Sequence, residues 1–172
     1  MTARSELRRR WVVFAAIALI VVVADQLSKT WIRSQLVFGD RPTDVVGSLV
    51  RVVFSQNRGG IFGLFGDSAI VLAVSSLVVI GLIVVYEWRE GSHSWLLTIA
   101  LGLLLGGAIG NLIDRLLYGY VTDFIDVGIG NSRFYTFNVA DSAISVALLL
   151  LIVIALFGHR LTRPAAHEAT RS

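Results

Sequence analysis

The chain has no cysteine, one methionine, two prolines and three histidines, and Lys29 is its only lysine. Without a thiol, a cysteine nucleophile, a disulfide framework and a cysteine-ligated zinc site are all excluded. His93, His159 and His167 fall between the second and third apolar runs or in the C-terminal tail. Neither a Ser-His base nor a histidine metal site is therefore expected beside the chain's central acids, and no metal or other cofactor is called for. Charge is scarce as well: 16% of the 172 residues are charged against 55% hydrophobic, and mean hydropathy is +0.75. That balance is too apolar for a soluble domain and describes an integral membrane protein. The net charge of +3 comes from arginines at the ends of apolar runs, where they meet anionic headgroups, so membrane lipids and not nucleic acid are the expected partners.

Four apolar runs are present, and a helix needs about 20 residues to cross about 30 Å of hydrocarbon. The first, Trp11 to Ala24, covers only about 21 Å at 1.5 Å per residue and must borrow Asp25-Gln26-Leu27-Ser28-Lys29. Its basic start and short apolar stretch imitate a signal peptide, but cleavage there would discard an embedded acid. The expected spans are 11–29, 69–86, 95–112 and 139–157, in one polytopic domain with an extracytoplasmic loop at 113–138. In the third span Gly102, Gly106 and Gly110 recur every four residues and bare one helix face for close packing. Residues 30–68 carry β-branched and aromatic runs at Val45-Val46, Leu49 to Phe54 and Ile61 to Phe65, broken by Pro42, Gly47 and Gly59-Gly60, which reads as short strands and turns at the outer membrane interface. The fold class is thus an α-helical membrane protein with four transmembrane helices and a small sheet between helices 1 and 2. Arg4, Arg8, Arg9 and Arg10 at one end and Arg160, Arg163 and Arg171 at the other favour cytoplasmic termini, against Lys29 and six arginines on the opposite side.

Asp123, in Val121-Thr122-Asp123-Phe124-Ile125, and Asp141, in Phe137-Asn138-Val139-Ala140-Asp141-Ser142, flank the mouth of the fourth span. An acid at membrane depth costs roughly 2.5 to 3.5 kcal/mol even on lenient scales, so it normally faces a protein interior and has a task. Two acids brought together can share one proton, leaving a base and an acid to activate water. Around Asp123 the alternation is extended, with Val121, Asp123 and Ile125 on one side. Asn138 followed by Asp141 also fits a capping-box variant that starts the fourth helix, and the helix dipole favours ionised Asp141, which makes Asp123 the expected acid. Asn57, Asn111, Arg115 and Asn138 offer amide and guanidinium groups on the same side, suited to a peptide backbone or lipid head, while Arg115 also suits interfacial snorkelling or a pair with Asp114. Asp25 is expected to orient a neighbour or to pair with Lys29 or an asparagine; Asp114 and Asp126 are read as structural.

The blocks Asp25 to Lys29, Asn57-Arg58-Gly59, Gly110-Asn111 to Asp114-Arg115, Val121 to Phe124 and Phe137 to Ser142 resemble, in order and spacing, the motif series of bacterial lipoprotein signal peptidase, also called signal peptidase II. The resemblance spans about residues 11 to 157. It implies an intramembrane aspartic endopeptidase of the bacterial inner membrane that removes signal peptides from diacylglyceryl-modified prolipoproteins, cutting before the lipidated cysteine. It implies catalytic Asp123 and Asp141 near the extracytoplasmic face, support from Asp25, Asn57, Asn111, Arg115 and Asn138, and a β-cradle over 30–68. It also implies that no metal is needed and that the cyclic peptide globomycin inhibits; separately, the chain is expected to be a monomer. Gly60 and Ile61 depart from the small residues that the family usually carries between Gly59 and Phe62. Two other chemistries fit the residues alone: a Ser28–Lys29 protease, disfavoured because helix neighbours face apart, and a small proton-coupled transporter using the same acids.

Overall fold

The computed structural model describes residues 3–58, 69–89 and 94–161. Along the chain these form α1 (Ala3–Gln35), β1 (Thr43–Val46), β2 (Val50–Asn57), α2 (Ala69–Arg89), α3 (Trp95–Tyr118), β3 (Val121–Ile129), β4 (Ser132–Arg133) and α4 (Val139–Leu161). The strand expected at Ile61 to Phe65, the Gly60-Ile61 departure, His93 and His167 lie outside the described residues.

All four helices are long and apolar enough to cross a membrane. They are not equivalent: 61% of the apolar window of α3 is buried inside the protein, against 22% for α1, 22% for α2 and 17% for α4. The other three helices therefore pack around α3 and turn apolar faces outward, with Leu19, Ile20, Leu27, Ile70 and Leu156 all exposed. Contact with α3 is close because its glycines lack side chains. A Cβ added at Gly106 would sit 2.7 Å from the Ala18 carbonyl oxygen, and one at Gly107 would sit 2.6 Å from the Ala140 carbonyl oxygen. The same stripe at Gly102 faces Phe14 and Ile17 of α1, so the small-residue repeat does pack α1 against α3. Phe14, Ala18, Ile83, Leu101 and Leu105 form the apolar centre where α1, α2 and α3 meet.

Helix α1 is longer than its apolar run, at 33 residues or about 50 Å. At its start Arg9 and Arg10 lie over the Trp95 ring, 5.2 and 5.1 Å from its centroid, which places a cation-aromatic cluster at one end of the bundle. Helix α3 continues past the expected span to Tyr118. No glycine or proline interrupts Leu112 to Tyr118, and the helix stops at Gly119, which takes φ of 73° as its left-handed cap and donates its N–H to the Arg115 carbonyl.

The sheet is antiparallel in the order β1-β2-β3-β4. Among the described residues β1 and β2 come from the segment between α1 and α2, and β3 and β4 come from the segment between α3 and α4. The second pair sits where a loop was expected, because the extended alternation around Asp123 continues as a strand that finds β2 as its partner. Register pairs Ser55 with Asp123 and Asn57 with Val121, so Asn57 stands two residues along from Asp123's partner and on the same face of the sheet. The start of β3 is buried on both sides, not on alternate ones: Val121, Thr122, Asp123 and Phe124 are all buried.

Candidate active site

The site forms where the start of β3, the second half of α1, the last turns of α3 and the first turn of α4 meet. Backbone bonds set this junction. The N–H groups of Phe124 and Ile125 both donate to the Phe137 carbonyl, at 3.1 and 2.8 Å, and the Phe137 N–H donates back to the Ile125 carbonyl at 3.1 Å. The residues leading into α4 are thereby laid against β3, and Asn138 comes beside Asp123.

Asn138 then does two things at once. It closes a capping box: its Oδ1 accepts from the Asp141 N–H at 2.9 Å, while Asp141 Oδ2 accepts from the Asn138 N–H at 3.3 Å. Its Nδ2 donates to Asp123 Oδ1 at 2.7 Å and to Asn111 Oδ1 at 3.2 Å. Asn111, on α3, donates from Nδ2 to Asp141 Oδ1 at 2.8 Å. Asn57, from β2, donates to the remaining oxygen of Asp123, Oδ2, at 2.9 Å. Asp123 and Asp141 are therefore held by three asparagine side chains from three different parts of the chain, and the linked amides of Asn111 and Asn138 reach both acids. The capping reading of Asn138 and Asp141 and the site reading describe the same bonds.

Burial and then the neighbouring Asp141 carboxylate push the Asp123 carboxyl from 3.8 up to about 7, against the hydrogen bonds from Asn57 and Asn138 and the charge of Lys29. At neutral pH Asp123 is poised to hold or release a proton.

Beneath these acids lies a second polar layer. Asp25, Lys29 and Asp114 are fully buried. Lys29 Nζ contacts Asp25 Oδ2 at 2.8 Å, Asp114 Oδ2 at 3.5 Å and Asn111 Oδ1 at 3.0 Å. Asp25 thus pairs with Lys29, and its other oxygen accepts the Ala140 N–H at 3.0 Å, so a carboxylate on α1 caps the start of α4. Gly110 makes room for this: an added Cβ there would sit 2.6 Å from Asp25 Oδ2. Asp114 accepts the Thr122 N–H at 2.8 Å and Arg33 Nη1 at 3.4 Å. Arg115 reaches back along its own helix: its Nη1 donates to the Asn111 carbonyl at 3.4 Å, and its charge acts on Asp141, Asp123 and Asp114. Ser28 turns away from Lys29 and donates to the Asp25 carbonyl at 2.8 Å. A serine held by its own helix backbone on a different face is no partner for a lysine base.

Three contributors lie outside the sequence reading. Gln26 donates to Asp25 at 3.1 Å and to the Gly110 carbonyl at 3.0 Å. Arg33 donates to Thr122 Oγ1 at 2.8 Å and stacks 4.4 Å above the Tyr118 ring. Thr122 joins Arg33 to Asp114 and so ties β3 to α1 and α3. Thr122 stands beside Asp123 in a polar-apolar alternation that turns it to the opposite face; only the two-sided burial of β3 reveals its task.

A family model described as Signal peptidase (SPase) II matches residues 17–157. The chain belongs to the signal peptidase II family. The lipoprotein signal peptidase of Syntrophomonas wolfei is 41% identical over 148 residues, covering 86% of this chain and 95% of its own. That of Caulobacter vibrioides is 44% identical over 163 residues, covering 89% and 91%. A solved structure described as a bacterial membrane enzyme, by the in meso method at 2.3 Å resolution, superposes with a TM-score of 0.78 at 29% identity, over 90% of this chain and 93% of that one. A second, at 1.9 Å resolution, gives a TM-score of 0.75 at 30% identity, over 83% and 92%. Within the signal peptidase II match fall all of the polar residues from Asp25 to Asp141 described above, and the protein is a multi-pass membrane peptidase of that family.

Proposed function

We propose that the chain is an intramembrane aspartic endopeptidase that removes signal peptides from diacylglyceryl-modified prolipoproteins and cuts before the lipidated cysteine. The observation that carries this is the shared amide clamp. Asp123 and Asp141 accept hydrogen bonds from Asn57, Asn111 and Asn138 but have no ion-pair partner among the described residues.

Charge bookkeeping agrees with a shared proton. Lys29, Arg33 and Arg115 supply three positive charges to a cluster that contains Asp25, Asp114, Asp123 and Asp141. Buried charge is tolerated when balanced, and one proton on the Asp123–Asp141 pair makes the balance complete. In the reaction the ionised carboxyl takes a proton from water as its oxygen bonds to the scissile carbonyl carbon, and the protonated carboxyl gives its proton to the carbonyl oxygen. The resulting tetrahedral diol collapses when a proton passes to the amide nitrogen and the C–N bond breaks. The pair returns to its singly protonated form, and no acyl-enzyme is made.

The lipid chains and apolar signal helix would lie along the outward apolar faces of the bundle, so binding within the bilayer positions the bond. Arg115, with only a backbone carbonyl as hydrogen-bond partner among the described residues, suits the polar head of the substrate. The Arg9, Arg10 and Trp95 cluster at the far end of the bundle suits the cytoplasmic interface, and this supports a reading with both termini in the cytoplasm of a bacterial inner-membrane protein and the acids near the extracytoplasmic face. The chain acts as a monomer in this reading.

The test is cleavage of a lipidated prolipoprotein in detergent by wild type, Asp123→Asn and Asp141→Asn, with and without EDTA. Product from wild type alone, indifferent to chelator, supports the reading. Turnover in either variant overturns it, and chelator-sensitive turnover redirects it to a metal. Proton-coupled flux in liposomes without any peptide product would replace it with a transporter.

A further inference from the structure

The buried ammonium of Lys29 has a task that ion pairing alone does not explain. Of its three contacts, two are carboxylates and the third is the side-chain oxygen of Asn111, at 3.0 Å. An ammonium has three hydrogens and no acceptor, so it tolerates only an oxygen in that third direction. Asn138 Nδ2 also donates to the same Asn111 oxygen, at 3.2 Å. Rotating the Asn111 amide by half a turn would set its NH2 against two donors and leave its oxygen facing the Asp141 carboxylate. The observed sense is the one in which Asn111 Nδ2 reaches Asp141 Oδ1, at 2.8 Å.

Asn138 is fixed in the same directional chain. Its oxygen is taken by the Asp141 N–H at 2.9 Å, which turns its NH2 toward both Asp123 and Asn111. A lysine on α1, a backbone N–H on α4 and two amides between them thus decide which way hydrogens point at both acids.

We propose that Lys29 is a positioning residue for the aspartate pair: by donating to Asn111 Oδ1 it holds the Asn111 amide with its N–H toward Asp141. The proposal rests on the aspartic reading above and adds a residue that touches neither acid. Its mark is a loss in turnover without a loss in substrate binding, most of it passing through Asn111.

The experiment measures kcat and KM for lipidated prolipoprotein cleavage by the full chain in detergent. Lys29→Met is made together with Asp25→Asn, so that no unpaired charge is buried, and Asp25→Asn alone is the reference. The amide introduced by Asp25→Asn keeps an oxygen for the Ala140 N–H. Removing Lys29 in that background should lower kcat about 30-fold and leave KM within about 2-fold, the effect of one lost donor in a chain ending on a charged group. Adding Asn111→Ala should remove most of the difference, leaving only what the charge of Lys29 contributes at Asp123. An unchanged kcat, or a Lys29 effect that persists in full without Asn111, overturns the proposal.

A second arm leaves Lys29 in place and guards against a variant that does not fold. Asn111→Leu keeps the size of the side chain but offers neither an oxygen to Lys29 nor a hydrogen to Asp141. It should lower kcat by about 30-fold or more with thermal unfolding retained, and full activity in it overturns the proposal. Asp123→Asn and Asp141→Asn are run alongside. Cleavage by those variants overturns the aspartic reading itself, whereas their silence together with an unchanged kcat on loss of Lys29 overturns the Lys29 role alone.

Discussion

Two pairs of aspartates, buried except for the half-buried Asp141, lie one above the other in this protein, and they are satisfied by different chemistry. Asp25 and Asp114 bracket Lys29, and Arg33 adds a second cation to Asp114. Asp123 and Asp141 receive amide hydrogens from Asn57, Asn111 and Asn138. A carboxylate matched by a cation is a tie: it joins elements, and its charge is part of a local balance. A carboxylate held by neutral donors keeps its geometry without a cation in direct contact, so it remains free to trade a proton. The lower pair builds the floor, and the upper pair is the one proposed to react.

The sharpest way to break this contrast is to remove the charge of each pair in turn. Asp123→Asn and Asp141→Asn should each lower cleavage by about 1,000-fold or more, since each removes one half of the acid-base pair. Both chains should still assemble, with thermal unfolding in detergent close to that of the wild type. An amide at position 123 retains one oxygen for the donors Asn57 and Asn138, so the local cost is one mismatched bond. A variant that unfolds instead would place the upper pair in the same structural class as the lower.

Asp114→Ala tests the other side. It strands the Thr122 N–H and takes one anion from both Lys29 and Arg33, and breaking a buried pair from one side costs about 3 to 5 kcal/mol. A large fall in thermal stability, measured in detergent, is the expected result. Unchanged stability with lost activity would make Asp114 part of the reaction.

How far this division was legible follows from the residues themselves. Asp123 and Asp141 stand out because an acid beside apolar runs is costly, and Asn138 with Asp141 shows the spacing of a capping box. Asp25 and Lys29 are four apart on an apolar helix, a spacing that puts them on one face, and they do pair. The helices follow from apolar length. The end of α3 was less visible, since Asp114 and Arg115 look like the edge of water, whereas burial beside Lys29 and Arg33 keeps that turn helical until Gly119. The pairing of β2 with β3 was out of reach because sheet register depends on partners far apart in the chain, here Asn57 and Val121. With it went the reason Asn57 meets Asp123, and the tie from Arg33 through Thr122.

The pH response sharpens the comparison further. The Asp123 carboxyl stands at about 7 in the folded protein against an ordinary 3.8, with burial as the main cause. Its folded form therefore holds a proton more tightly than its unfolded form. The associated stability is present below about pH 4 and is lost as pH rises from there through about 7. In the proposed mechanism activity depends on the same proton, so cleavage should fall above about pH 7, approaching tenfold per pH unit. Asp123→Asn should unfold less pH-dependently than wild type across that window. An activity plateau extending well above about pH 8, measured with one lipidated substrate, would mean that the proton resides elsewhere.

The smallest effect belongs to a third acid, outside both pairs. Asp126, also buried, lies three residues beyond Asp123 on β3 and takes Arg133 Nε at 2.9 Å and Arg51 Nε at 3.3 Å. Arg133 also donates to the Ser48 carbonyl at 2.7 Å, so this acid ties β3 to β2 and to the turn before it. Both arginine side chains retain partial access to solvent, at 24% for Arg51 and 18% for Arg133, which screens the interaction. Asp126→Asn should cost about 1 kcal/mol in unfolding and leave kcat near that of the wild type, because none of its bonds reaches Asp123 or Asp141. A change in KM alone would mean that the outer sheet contacts the substrate. A change in kcat as large as that from Asn111 substitution would mean that the sheet's register, and not the amide clamp, sets the reactive geometry.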